Sequence, residues 1–130
     1  MSEWEELDIL SKVEAILEQA SRENPEHHFG GPFFTAYQIA IDYAERYPED
    51  LERMEYEVGG KDTGVHFSLA QYLAQQLSTK IKGGEITTIE GRFISNRYVS
   101  NFIFDSNDIH VESSVTGKHA SISMFRLARS

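Results

Sequence analysis

Apolar residues recur at helical spacing over residues 3–82 and alternate with polar ones over residues 85–127, and the change of period falls at Gly83-Gly84. Residues 3–23 align Leu7, Leu10, Val13, Ile16, Leu17 and Ala20 in one stripe, with Glu5, Lys12, Glu14, Glu18 and Arg22 elsewhere on the cylinder, and predict a first amphipathic helix. Residues 36–47 predict a second helix, apolar on much of its circumference (Tyr37, Ile39, Ala40, Ile41, Tyr43, Ala44, Tyr47). Pro48 limits it, because the residue before a proline is pushed away from helical angles. Pro48–Val58 leaves room for a further turn or two through Leu51, Met54 and Tyr56. GGKDTG then breaks the chain before a third helix over 69–82, which buries Leu69, Tyr72, Leu73, Leu77 and Ile81 and ends at the glycine pair.

The three starts share one device. Ser2 with Glu5, Thr35 with Gln38 and Ser68 with Gln71 match the capping box, in which a hydroxyl accepts from the amide three residues on and the acid or amide side chain reaches back. Phe34 with Ile39 and Phe67 with Tyr72 have the spacing of hydrophobic staples around the second and third caps.

Beyond Gly84, Ile109, Val111, Ser113 and Val115 alternate with His110, Glu112 and Ser114, while Tyr98–Phe104 and Ala120–Leu127 are rich in aromatic and β-branched residues. A strand near Glu85–Ile94, with a bulge at Gly91, precedes them. Turn residues at 95–97, 105–108 and 116–119 have hairpin lengths and predict antiparallel neighbours. The fold class is therefore α+β, a single domain over 1–130 with three helices (3–23, 36–47, 69–82) packed on an antiparallel meander sheet of about four strands across 85–127. Helices cover one face of such a sheet; the other, through Val99, Ile103, Phe125 and Leu127, stays open and predicts a homodimer that hides it.

Composition narrows the chemistry. No apolar run is long enough to span a bilayer, so no membrane partner is expected. The start, MSEWEELDIL, lacks the basic and apolar regions of a signal peptide and there is no cysteine, so the cytoplasm is the expected compartment. The net charge of −9 is uneven: residues 1–60 hold fifteen acids and four bases, residues 61–130 six acids and eight bases. The acidic half should repel phosphate backbones, so nucleic acid is not the expected partner and could meet only the second half.

HHFGGPFFT, His27–Thr35, is the densest local signal. Gly30 and Gly31 turn the backbone, Pro32 stiffens it, and Phe33 and Phe34 fix the entry of the second helix. Adjacent histidines make a poor chelate, so no metal and no cofactor are expected, and the pair is read as the rim of a pocket or as solvent-facing. Ligand-binding candidates are His28, Phe29, Phe33 and Tyr37, joined by Lys61 and His66 from GGKDTGVHFS, where glycine amides ahead of a helix N-terminus could take a phosphate or carboxylate. That stretch is neither a P-loop nor GxGxxG.

No motif fixes a nucleophile beside a base among the acids, the serines, His66, His110 and His119; the catalytic residues are unknown, and an enzyme is the third reading. A winged-helix-like DNA-binding regulator is the second. There, helix 69–82 would present Gln71, Gln75, Ser78, Thr79 and Lys82, with a hairpin bearing Arg92 and Arg97 as the wing. FGGPFFTAYQIAIDYAERYP, SLAQYLAQQLSTKIKGGEI and the ending ISMFRL resemble small bacterial proteins carried on mobile elements, of the integron gene cassette type. The resemblance covers most of 28–127 and implies an accessory cytoplasmic protein that self-associates; it brings no catalytic residues. Aromatics crowd the chain breaks (Phe29, Phe33, Phe34, Tyr37, Tyr43, Tyr56, Phe67), which suits a pocket or interface. The leading expectation is a small homo-oligomeric binding or interaction module with an aromatic-lined pocket for a small molecule.

Overall fold

The computed structural model describes residues 2–23, 25–59, 68–95, 97–99, 101–106, 109–114 and 122–128. The helices are α1 (Glu3–Glu6), α2 (Ile9–Ser21), α3 (Ala36–Arg46), α4 (Pro48–Met54) and α5 (Leu69–Lys82); the strands are β1 (Phe34–Thr35), β2 (Ile89–Ile94), β3 (Asn101–Asp105), β4 (His110–Ser114) and β5 (Ile122–Leu127). The α+β class stands, with more helices than expected and a different sheet.

The expected helix 3–23 is two. Asp8 adopts the left-handed conformation (φ 52°, ψ 48°), which Asp tolerates because its short side chain bonds locally; Ser11 Oγ donates to its Oδ1 at 3.0 Å. The break resets the phase, so Ile9 rather than Leu10 joins Val13, Ile16, Leu17 and Ala20 in the core. It also lets α1 fold back so that Trp4 is buried beside Tyr72, ring centres 6.4 Å apart. At Thr35 and Ser68 the capping boxes form reciprocally, whereas Ser2 accepts only from the Glu5 amide. The Phe67 staple lies outside the described residues. Helix α3 stops at Arg46, and Pro48 then serves as the first residue of α4, where its missing N–H is harmless.

The four-stranded meander is not formed. β5 is the centre of a three-stranded antiparallel sheet in the order β1-β5-β2, while β3 and β4 pair as a separate hairpin. The reason is burial: Phe125 is the largest apolar side chain of the C-terminal strands to reach the core, and pairing β5 with both Phe34 and Gly91 puts those positions on the helix-facing side beside it. The first strand starts at Ile89 rather than Glu85, because the amides of Glu85 and Ile86 close the end of α5 by donating to Lys80 O. Gly91 is not a bulge. Its register with Phe125 is regular, and a Cβ there would lie 3.3 Å from the Phe125 ring. The turn at 116–119 lies outside the described residues.

The open-face expectation fails at two of its four residues. Phe125 is 1% exposed, and Leu127 packs against the core; Ile103 is 57% exposed as expected, and Val99 is half-buried. Alternation along β5 then sets Met124 and Arg126, with Glu90 and Arg92 opposite them on β2, on the face away from Phe125.

Candidate functional site

The HHFGGPFFT turn lies over that other face, and Arg126 holds it. Extending the β1–β5 register by one residue sets Phe33 opposite Arg126, and the β2–β5 register sets Glu90 opposite Arg126 on the far side. The guanidinium is thus gripped from two directions. Its Nε donates to Glu90 Oε1, its Nη1 donates to the backbone carbonyls of Phe29 (2.7 Å) and Gly31 (3.0 Å), and its Cζ lies 4.4 Å from the centre of the Phe33 ring. A charge-assisted hydrogen bond and a cation–π contact in a half-sheltered place are each worth more than their exposed counterparts.

The turn is shaped by its glycines. Gly30 takes φ 94°, a conformation other residues rarely adopt, and its amide donates to His27 O at 2.9 Å. Gly31 sits against the end of α2: a Cβ there would come 3.0 Å from Ser21 Cβ. The His27 ring accepts from the Phe29 amide through Nδ1 at 3.1 Å and stacks on His28, centres 4.7 Å apart. Between the turn and the strand lies a cavity of about 440 Å³ lined by His27, Phe29, Gly30, Gly31, Pro32, Phe33 and Arg126. Phe29 is 71% exposed at its mouth.

Of the expected ligand residues, Phe29 and Phe33 line this cavity. His28 stacks on its neighbours His27 and Phe29 outside the lining. Tyr37 is elsewhere, its ring stacked on Phe104 of β3 at 5.7 Å, close to a second cavity of about 430 Å³ whose walls include the acids Asp42, Glu45 and Asp105. Lys61 and His66 lie outside the described residues. Residues 60–67 of the anion site expected ahead of the third helix lie outside the described residues, and only its helix end is on view. Leu69 N donates to Glu57 O (2.7 Å), Ala70 N to Val58 O (2.9 Å) and Gln71 N to Ser68 Oγ (3.1 Å), so the first-turn amides of α5 are all used.

The DNA-reading surface is altered in the same way. Gln71 spends its side-chain oxygen on the Ser68 amide, while Gln75 stays exposed. Among the described residues β2 pairs with β5 and not with β3, so no wing hairpin forms between them; Arg97 lies beyond β2, 5.9 Å from the Tyr98 ring. Lys82 and Arg92 both line a shallow groove of about 230 Å³ between α5 and β2. Among the described residues, no group of three or more His, Asp or Glu is placed to hold a metal ion, and no helix is long and apolar enough to cross a membrane.

Sequence reasoning missed Arg126 and Glu90. The available signal was alternation: with Phe125 inward, Arg126 must point outward. Its partner Glu90 could be found only by pairing β5 with β2, which the meander assumption excluded. Comparison with protein-family models, curated proteins and solved structures finds no match to the chain.

Proposed function

We propose that the protein is a small homodimeric binding module whose ligand site is the cavity between the His27–Phe33 turn and Arg126. The observation that carries the reading is the combination of apolar walls with a guanidinium anchored by Glu90 and two backbone carbonyls. Ligand sites are mostly apolar concavities of roughly 300–1,000 Å³ with a few fixed polar groups, and this cavity of about 440 Å³ fits that description. Among the described residues Glu90 and the carbonyls engage Nε and Nη1, which leaves Nη2 as the donor for an occupant. The ligand class that matches is a flat, largely apolar molecule with a single carbonyl or carboxylate group. Self-association is the expectation carried over from the sequence resemblance to cassette-borne accessory proteins.

An NMR titration of the amide spectrum with benzoate and benzamide tests the site. The expected result is saturable shifts at Gly30, Gly31 and Phe33, with Gln38 and Asp42 of the second cavity unmoved. Unchanged turn amides with both probes overturn the proposal.

A further inference from the structure

We infer that the dimer forms through the free edge of β2, by antiparallel pairing of two copies with the two-fold axis at Gly91. This rests on the homodimeric reading above and specifies its surface. β2 is an edge strand: its described ladder runs only to β5. Ala128 N donates to Thr88 O at 2.8 Å, so the even-numbered backbone groups of β2 face β5, and those of Ile89, Gly91 and Phe93 point outward. Such a row of outward donors and acceptors is a template for another strand unless it is blunted. In the single chain the outward Gly91 carbonyl accepts from Arg92 Nη1 at 2.7 Å, a bond the pairing exchanges for the second copy's Gly91 amide as Arg92 turns to the second copy's Glu90, and Phe93 stands 71% exposed on the same edge.

Charge selects the occupant and the register. Facing residues in a two-fold antiparallel pair have numbers that sum to a constant, so an axis at residue 90 sets Glu90 against Glu90, and one at 92 sets Arg92 against Arg92. Like charges directly opposite one another are destabilising. An axis at Gly91 sets Glu90 against the second copy's Arg92, twice, at a non-hydrogen-bonded position where facing side chains are closest. It also matches the outward groups of Ile89, Gly91 and Phe93 with those of Phe93, Gly91 and Ile89. The cross-strand row then reads Phe33, Arg126, Glu90 and the second copy's Arg92, so a partner's cation braces the carboxylate that positions Arg126. Glu90 thus joins the dimer edge to Arg126, which lines the ligand cavity.

Light scattering on a size-exclusion column compares the wild type with Phe93→Pro, which removes an outward N–H and an exposed ring, and Arg92→Glu, which makes both cross-strand pairs repulsive. The expected result is a mass twice the 14.8 kDa chain for the wild type, and a folded monomer by circular dichroism for each variant. A monomeric wild type at every concentration would defeat the homodimeric reading itself. A dimeric wild type with both variants still dimeric would spare that reading and overturn the edge assignment. Should Phe93→Pro not fold, Arg92→Glu decides alone, since its side chain is exposed.

Discussion

Lys12 and Arg126 each join distant parts of the chain through a carboxylate and an aromatic ring, but one network is closed and the other is open. Lys12 Nζ donates to Asp50 Oδ2 at 2.7 Å, the Tyr43 hydroxyl donates to the same oxygen at 2.6 Å, and the ammonium lies 5.0 Å from the Tyr47 ring. Asp50 is only 8% exposed and Tyr43 fully buried, so side chains alone complete the set and tie α2, α3 and α4 together. Arg126 instead completes its set with backbone carbonyls of an exposed turn, and the turn keeps a cavity at its side. The same ingredients seal a core in one place and hold open a wall in the other. What differs is whether the second partner is a packed helix or a glycine turn.

Substitutions separate the two. Asp50→Ala should have the largest effect, because it strands the Lys12 ammonium and the Tyr43 hydroxyl with little water; a loss of about 3 kcal/mol is expected from urea unfolding, with no change in benzoate binding. Arg126→Met comes next at about 2 kcal/mol, and it should abolish benzoate binding. A stability loss without a binding loss there would break the distinction.

Burial and the bond to Asp50 push the Tyr43 hydroxyl well above its ordinary value, and burial with the nearby Glu3 raises Tyr56 and Tyr72 as well. The folded state therefore holds these protons more tightly than the unfolded chain. Their contribution is fully present below about pH 10 and is lost above it, by at most about 1.4 kcal/mol per pH unit per tyrosine. A series of urea midpoints should show that decline, and Tyr43→Phe should make it shallower. Loss of a cap is the smallest change: Thr35→Ala and Ser68→Ala should each cost about 1 kcal/mol by the same measurement. Thr35→Ala also tests whether the turn depends on the helix it leads into.

Local signals account for what could be read from the sequence. Two reciprocal capping boxes, Pro48 and the glycine pair are complete within a few residues, and the ends of α3 and α5 follow from them. Asp8 was opaque because nothing local distinguishes an aspartate in a left-handed turn from one inside a helix. The sheet was opaque for a stronger reason. Strand order depends on which faces find cover, and Phe34 meets Phe125 across most of the chain's length. The turn at His27–Phe33 was recognised as structural with Phe29 and Phe33 as pocket residues, yet the arginine that shapes it lies 97 residues from Phe29.

Amide hydrogen exchange in the turn tests most directly whether Arg126 makes it a fixed wall. In Arg126→Met, exchange at Gly30 and Gly31 should accelerate by about tenfold or more, matching the loss of charge-assisted bonds of about 1.5 kcal/mol or more, while amides of α2, α3 and α5 keep their wild-type protection. Equal protection of the turn in both proteins would contradict the account, and so would an acceleration spread evenly over the helices.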